Sequence, residues 1–363
     1  MLDRFGAGSD SNVILAIQQA IALKSKYNIR VMNLSFGRPV YQSYRTDPLC
    51  QAVEQAWKAG IVVVVAAGNN GRDNSYGTEG YGTINSPGND PYVITVGAMR
   101  TMGTVTRSDD ALATYSSKGP TLIDHIVKPD IVAPGNQIRS TLALGGRLRN
   151  QYVVSDVPLN YYIKGGNNQP GDQYYEMSGT SMATAVVSGA AAILIQKDPS
   201  LTPDQVKARL MLTASKTFPL WANATDPTTG VTYTVRHDIF SVGAGYLDVN
   251  AAVNDTNKAP GPALSPVATY NAATQQVTMS DNVNGAVAVW GTNAIWGTLA
   301  VWGTQVINGT MAVWGTGAIW GTETVTGTLA VWGTSAIWGT CAVWGTNTSI
   351  GAESDSLAVY GEH

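Results

Sequence analysis

The chain has 363 residues, 44% hydrophobic and 13% charged, with 10 Trp against 4 Phe and a formal net charge of -3. That apolar content excludes a disordered chain, and the charge gives no electrostatic reason to bind nucleic acid. The longest apolar runs, Ile61 to Ala67 and Ala185 to Ile195, fall well short of the ~20 residues of a membrane-spanning helix.

The elements follow in chain order. Val13, Ile14, Ile17, Ala20 and Ile21 recur at helical spacing behind the cap candidates Ser9, Asp10 and Ser11. Ile29 to Phe36 reads as a strand. Asp47-Pro48 has the form of an N-cap with proline at the first helical position, and the helix it opens runs to Ala59. Ile61 to Ala66 is apolar on both faces, as in the middle of a covered parallel sheet. Tyr92 to Ala98 and Asp130 to Ala133 read as further strands. Met182 to Gln196 is a helix of small apolar residues, and Thr202-Pro203-Asp204-Gln205 is a capping-box start for a helix to about Ala214. Alternation of this kind predicts an α/β fold over 1–254, a parallel sheet flanked by helices.

Residues 255–285 are rich in Pro, Ala, Asn and Thr and read as a linker. Across 286–351 the chain repeats x-Ala-Val/Ile-Trp-Gly-Thr, and eight of the ten tryptophans lie between Trp290 and Trp344. Six is a multiple of the strand period, so every unit presents the same faces, and a glycine in every unit argues against helix. The expectation is an all-β repeat, a hexapeptide solenoid or a meander of hairpins. Residues 352–363 form a short tail. Cys50 and Cys341 fall on opposite sides of this divide and read as unpaired thiols.

Two stretches carry chemistry. Glu176 to Ala185 places Ser181 at the start of an apolar helix, where free backbone N–H groups favour an oxyanion. By itself Ser-Gly-Thr-Ser is a common cap. Ile61 to Ala67 leads into Gly68-Asn69-Asn70-Gly71 and delivers a carboxamide to the C-terminal end of a strand, the ligand end of open α/β sheets. By itself Asn-Gly is turn chemistry.

Together and in this order, the two stretches resemble the subtilisin family of serine proteases. So do Val31 to Gly37, Tyr92 to Ala98, Tyr115 to Pro120, Lys128 to Gly135 and Gly243 to Val249. The resemblance implies a subtilisin-like sheet, with Ser181 as nucleophile and Asn69 plus the Ser181 N–H as oxyanion hole. It also implies that Ser35, Phe36 and Gly37 pair with substrate backbone and that Ala67 and Gly68 wall the specificity pocket. The substrate it implies is a protein or peptide, met outside the cell or at its surface. Calcium is common in the family, but no loop here is dense enough in Asp and Asn to name ligands, so no cofactor or metal residue is assigned.

The sequence departs from the family in two ways. Ala185 stands where the family usually has Pro, a mild change. More seriously, the family's Asp and its His-Gly-Thr-His segment both precede the region matched by Met1-Leu2-Asp3. His125, His237 and His363 have neither that setting nor that chain position, and Asp3 comes too late to be the acid. The expectation is therefore the C-terminal two thirds of a peptidase domain, inactive as written, with the Asp, the His, a signal and a propeptide upstream. The competing reading is a non-catalytic surface protein whose tryptophan repeat contacts polysaccharide or supports self-association.

Overall fold

The computed structural model describes residues 8–143, 149–259 and 261–269 apart from positions 76, 151, 218, 220, 227 and 228, together with short strand segments between 270 and 307 and residues 359, 361 and 362. Asp3, Cys341, His363 and nearly all of the hexapeptide repeat lie outside the described residues. So do the choice between solenoid and meander and the polysaccharide contact.

Helix α1 spans Asp10–Tyr27 and is capped by Ser9, whose hydroxyl accepts from the Asn12 N–H. Strand β1 is Val31–Leu34, two residues shorter at each end than the apolar pattern suggests. Helix α2 covers Pro48–Lys58, with the Asp47 carboxylate accepting from the Leu49 N–H at 2.9 Å. Strand β2, Val62–Ala66, is buried at every position. Strand β3, Ile94–Arg100, starts and ends two residues later than the sequence suggests. The sheet continues through β4, Ala111–Leu112, and β5, Ile131–Pro134.

Strands β1, β2, β3 and β5 run parallel in that order, and β4 pairs antiparallel with the end of β3. Val13 and Ile17 of α1 share one core with Leu49, Val53, Ala56 and Trp57 of α2 and with the valines of β2. Helix α3, Thr180–Lys197, packs on β1, β2, β3 and β5, and Ala183, Val187, Ala190 and Leu194 face that core. Alanine at 183 and 190 lets the helix lie close to the sheet. Helix α4, Pro203–Thr213, has the full capping box of Thr202 and Gln205.

Two features escaped the periodicity. Strands β6 (Ile138–Thr141), β7 (Asp156–Pro158) and β8 (Pro170–Met177) form an antiparallel sheet with β8 in the middle, and β8 runs straight into the turn before Ser181. Strands β9 (Trp221–Thr225) and β10 (Thr232–Arg236) form a hairpin. The stretch whose composition resembles a linker packs in part on the domain. Ala263, Leu264, Ser265 and Ala268 are buried, and the Ala268 N–H donates to the His125 carbonyl at 2.8 Å.

Candidate active site

Strand β8 ends at Met177, and α3 begins at Thr180. Gly179 makes the turn between them at φ 148°, a conformation that glycine adopts without strain. Its N–H donates to the Gly135 carbonyl at 2.8 Å, so the loop after β5 fixes where the helix starts. The N-cap glycine brings no capping side chain. The first-turn donors are therefore met from elsewhere or left facing the site.

The Thr180 N–H and the Thr180 hydroxyl both donate to Asn69 Oδ1 at 3.0 Å, and Thr180 Oγ1 accepts from the Gly68 N–H at 3.2 Å. This settles the carboxamide's orientation. With Oδ1 held by two donors, the Asn69 NH₂ turns toward Gly179. A Cβ placed on Gly179 would lie 3.3 Å from Asn69 Nδ2. The Ser181 N–H sits in the first turn of α3, where the helix dipole favours negative charge. The Asn69 Nδ2 thus lies beside the turn from which α3 starts.

Ser181 also touches the segment after β1. Its hydroxyl donates to the Ser35 carbonyl at 3.2 Å, and the Ser35 hydroxyl returns a bond to the Ser181 carbonyl at 2.9 Å. Phe36 packs against the main core, and Gly37 is exposed. Asn85, which the sequence did not single out, lies between Gly37 and Gly68. A Cβ on Gly37 would come within 2.8 Å of Asn85 Cβ, and one on Gly68 (φ 112°) within 2.7 Å of Asn85 Nδ2. Ala67 is buried at the end of β2, and its carbonyl accepts from the Asn85 N–H at 3.0 Å. The structure thus brings Ser35, Gly37, Ala67, Gly68, Asn69 and Ser181 close together.

Neither described histidine joins them. His237 Nε2 accepts from the Leu112 N–H at 3.0 Å, while Nδ1 lies 2.5 Å from the Pro219 carbonyl and carries the proton. His125 sits in a turn at φ 53°, its backbone bonded to Thr121 and Ala268. Among the described residues, no group of three or more His, Cys, Asp or Glu is arranged to hold a metal. None of the described helices is long and apolar enough to cross a membrane.

The profile of the Subtilase family matches residues 2–245. The chain belongs to the subtilase family. It is 40% identical over 219 residues to "Serine protease AprX" of Bacillus subtilis (strain 168), covering 58% of this chain and 44% of that protein. It is 34% identical over 215 residues to "Subtilisin E" of the same organism, covering 59% and 42%. The chain thus spans less than half the length of these relatives. Among solved structures, "Sphericase" aligns with a TM-score of 0.48 at 25% identity, covering 69% of this chain and 67% of that one.

Thr180, like Asn85, is a residue at this site that sequence reasoning passed over. Thr180→Val should cost about 1–3 kcal/mol, because the Gly68 N–H loses its acceptor and Asn69 loses one of its two donors. Thr180→Ser should restore most of it. Urea unfolding of both variants checks this, and equal losses in the two would show that the hydroxyl is not what matters.

Proposed function

We propose that this subtilase chain supplies the nucleophile and oxyanion hole of a serine endopeptidase that acts on protein or peptide substrates, with Ser181 attacking the scissile carbonyl. The observation that carries the reading is the lock between Thr180 and Asn69. It aims a carboxamide donor at the turn that holds Ser181. In this reading Ser35 to Gly37 forms the edge that takes substrate backbone by strand addition. Among the described residues, strand β1 pairs with β2, and Ser35 to Gly37 follow directly on its C-terminal end. Ala67 and Gly68 then form a wall of the pocket beside it. An extracellular or cell-surface place of action goes with this activity.

Acyl transfer by serine needs a general base to take the hydroxyl proton and an acid to orient that base. The Ser181 hydroxyl is instead spent on a backbone carbonyl. In this reading neither described histidine can serve Ser181, and the chain by itself is inactive until a base and an acid are supplied to it. The purified chain should fail to react with a fluorophosphonate probe. A chain extended upstream through the Asp and His-Gly-Thr-His segments should react, and Ser181→Ala should abolish that reaction. Labelling of the present chain at Ser181 would refute the missing base, and an unreactive extended chain would refute the peptidase.

A further inference from the structure

The family match ends at residue 245, yet residues near 360 are buried inside the same domain. Glu362 places its carboxylate between two guanidinium groups, Arg72 at 2.8 Å and Arg100 at 3.3 Å. Both arginine side chains are only 4% exposed, and the Glu362 side chain is 0% exposed. Three further donors converge on the carboxylate: the Thr114 N–H at 2.9 Å, the Tyr115 N–H at 3.2 Å and the Thr114 hydroxyl. The Asn136 side chain reads the Glu362 backbone in both directions, accepting its N–H and donating to its carbonyl, each at 2.8 Å. The Ser155 hydroxyl donates to the Val359 carbonyl at 3.1 Å, and Val359 is buried.

Gly361 fits where no other residue would. Its φ is 65°, and a Cβ there would stand 2.5 Å from Ser178 Oγ and 2.9 Å from Asn136 Oδ1. Ser178 lies three residues before Ser181. The contact reaches the nucleophile's turn by a second route as well. Glu362 holds the Tyr115 N–H, the Tyr115 hydroxyl donates to the Gly135 carbonyl at 3.1 Å, and that same carbonyl accepts from Gly179.

We propose that Val359, Gly361 and Glu362 form a clip that docks intramolecularly in a cationic socket built by Arg72, Arg100, Thr114 and Asn136, and that the clip braces the turn from which the nucleophile helix starts. The socket's ligand is thus an acidic peptide of this chain, with a Gly-Glu pair as its recognised element. A buried guanidinium without a carboxylate is costly. Arg72 also pairs with Asp226 at 2.9 Å, so Glu362 supplies the second negative charge for two buried positive ones. Both flanks of the tryptophan repeat are then fastened to one domain, since Ala268 is bonded to His125 and Glu362 to the socket.

Hydrogen exchange on the intact chain tests this without any substitution. The Glu362 amide should exchange at least about tenfold more slowly than in the free peptide of residues 355–363, as should the amides of Thr114 and Tyr115 relative to unstructured chain. Glu362→Ala in the full chain should speed exchange at 114–115 and at 178–180 while leaving Val62–Ala66 protected. Glu362→Gln, which keeps the acceptor and loses the charge, should fall between the two. Exchange of Glu362 at the free-peptide rate would overturn the clip. An unchanged 178–180 segment in Glu362→Ala would overturn the bracing. Protection that rises with protein concentration would place a second copy in the socket and overturn intramolecular docking.

Discussion

Asp130→Ala should be the most destabilising single change in the domain, with an expected loss of about 3–5 kcal/mol. A domain's whole stability is on the order of 5–15 kcal/mol, so the variant should be largely unfolded or insoluble at room temperature. Asp130 is completely buried beside two completely buried lysines, Lys128 at 2.7 Å and Lys207 at 3.1 Å. Burial by itself would raise the carboxyl's pKa, but the two ammonium groups hold it below the ordinary value. Its oxygens also accept from the Thr95 N–H at 2.7 Å and the Ser265 hydroxyl at 2.5 Å. Lys207 is tied in turn to the Pro91 and Val93 carbonyls at 2.8 and 3.0 Å, yet burial still lowers it to about 7. Alanine would leave Lys128 and Lys207 in the interior without their carboxylate partner and unpin the start of β5 from β3. Urea unfolding of Asp130→Ala, Lys207→Met and the double variant should give a coupling of about 1–3 kcal/mol, because the second change removes one of the charges that the first leaves uncompensated. Additive losses, or a single variant within about 1 kcal/mol of the parent, would refute the account.

That cluster marks the limit of what the sequence made readable. Caps were legible because their chemistry is local. Asp47 bonds two residues ahead, and Thr202 and Gln205 bond each other. The continuous apolar run of β2 was legible because only a strand covered on both faces tolerates it. Strand ends were less so. The hydrophobic pattern of Ile29 to Phe36 runs past the last ladder bond, since Phe36 is apolar for packing and not for pairing. The cores of both chemical stretches were visible as motifs, but what orients them was not. Thr180 grips Asn69 across 111 residues, and Glu362 meets Thr114 across 248. No local periodicity encodes such contacts. Arg100 ends the buried strand β3, but Arg72 sits in a polar turn that reads like any surface loop, so nothing local marked the pair as a socket. The tail that answers them looked like an appendage because composition alone says nothing about return to the core.

The second large effect is on pH dependence, and it comes from the histidine that has no place in the chemistry. His237 is buried, and burial, opposed by its bond to the Pro219 carbonyl and aided by the charge of Arg100, lowers its pKa from 6.5 to about 4. The geometry gives the same direction. Nε2 already accepts from the Leu112 N–H, so a proton there would set two donors face to face. The unfolded chain therefore binds a proton at His237 between pH 6.5 and about 4, where the folded chain does not. In that window stability rises with pH. His237 imposes no penalty above 6.5, and its penalty grows as pH falls, reaching about 3 kcal/mol below the folded value. His237→Gln keeps a donor and an acceptor but cannot take up the proton. It should be the less stable protein at pH 7.5, and the gap should close or reverse at pH 4.5. Urea midpoints of both proteins at the two pH values decide it. Two stability curves that stay parallel across that range would show that His237 is not what makes this fold sensitive to acid.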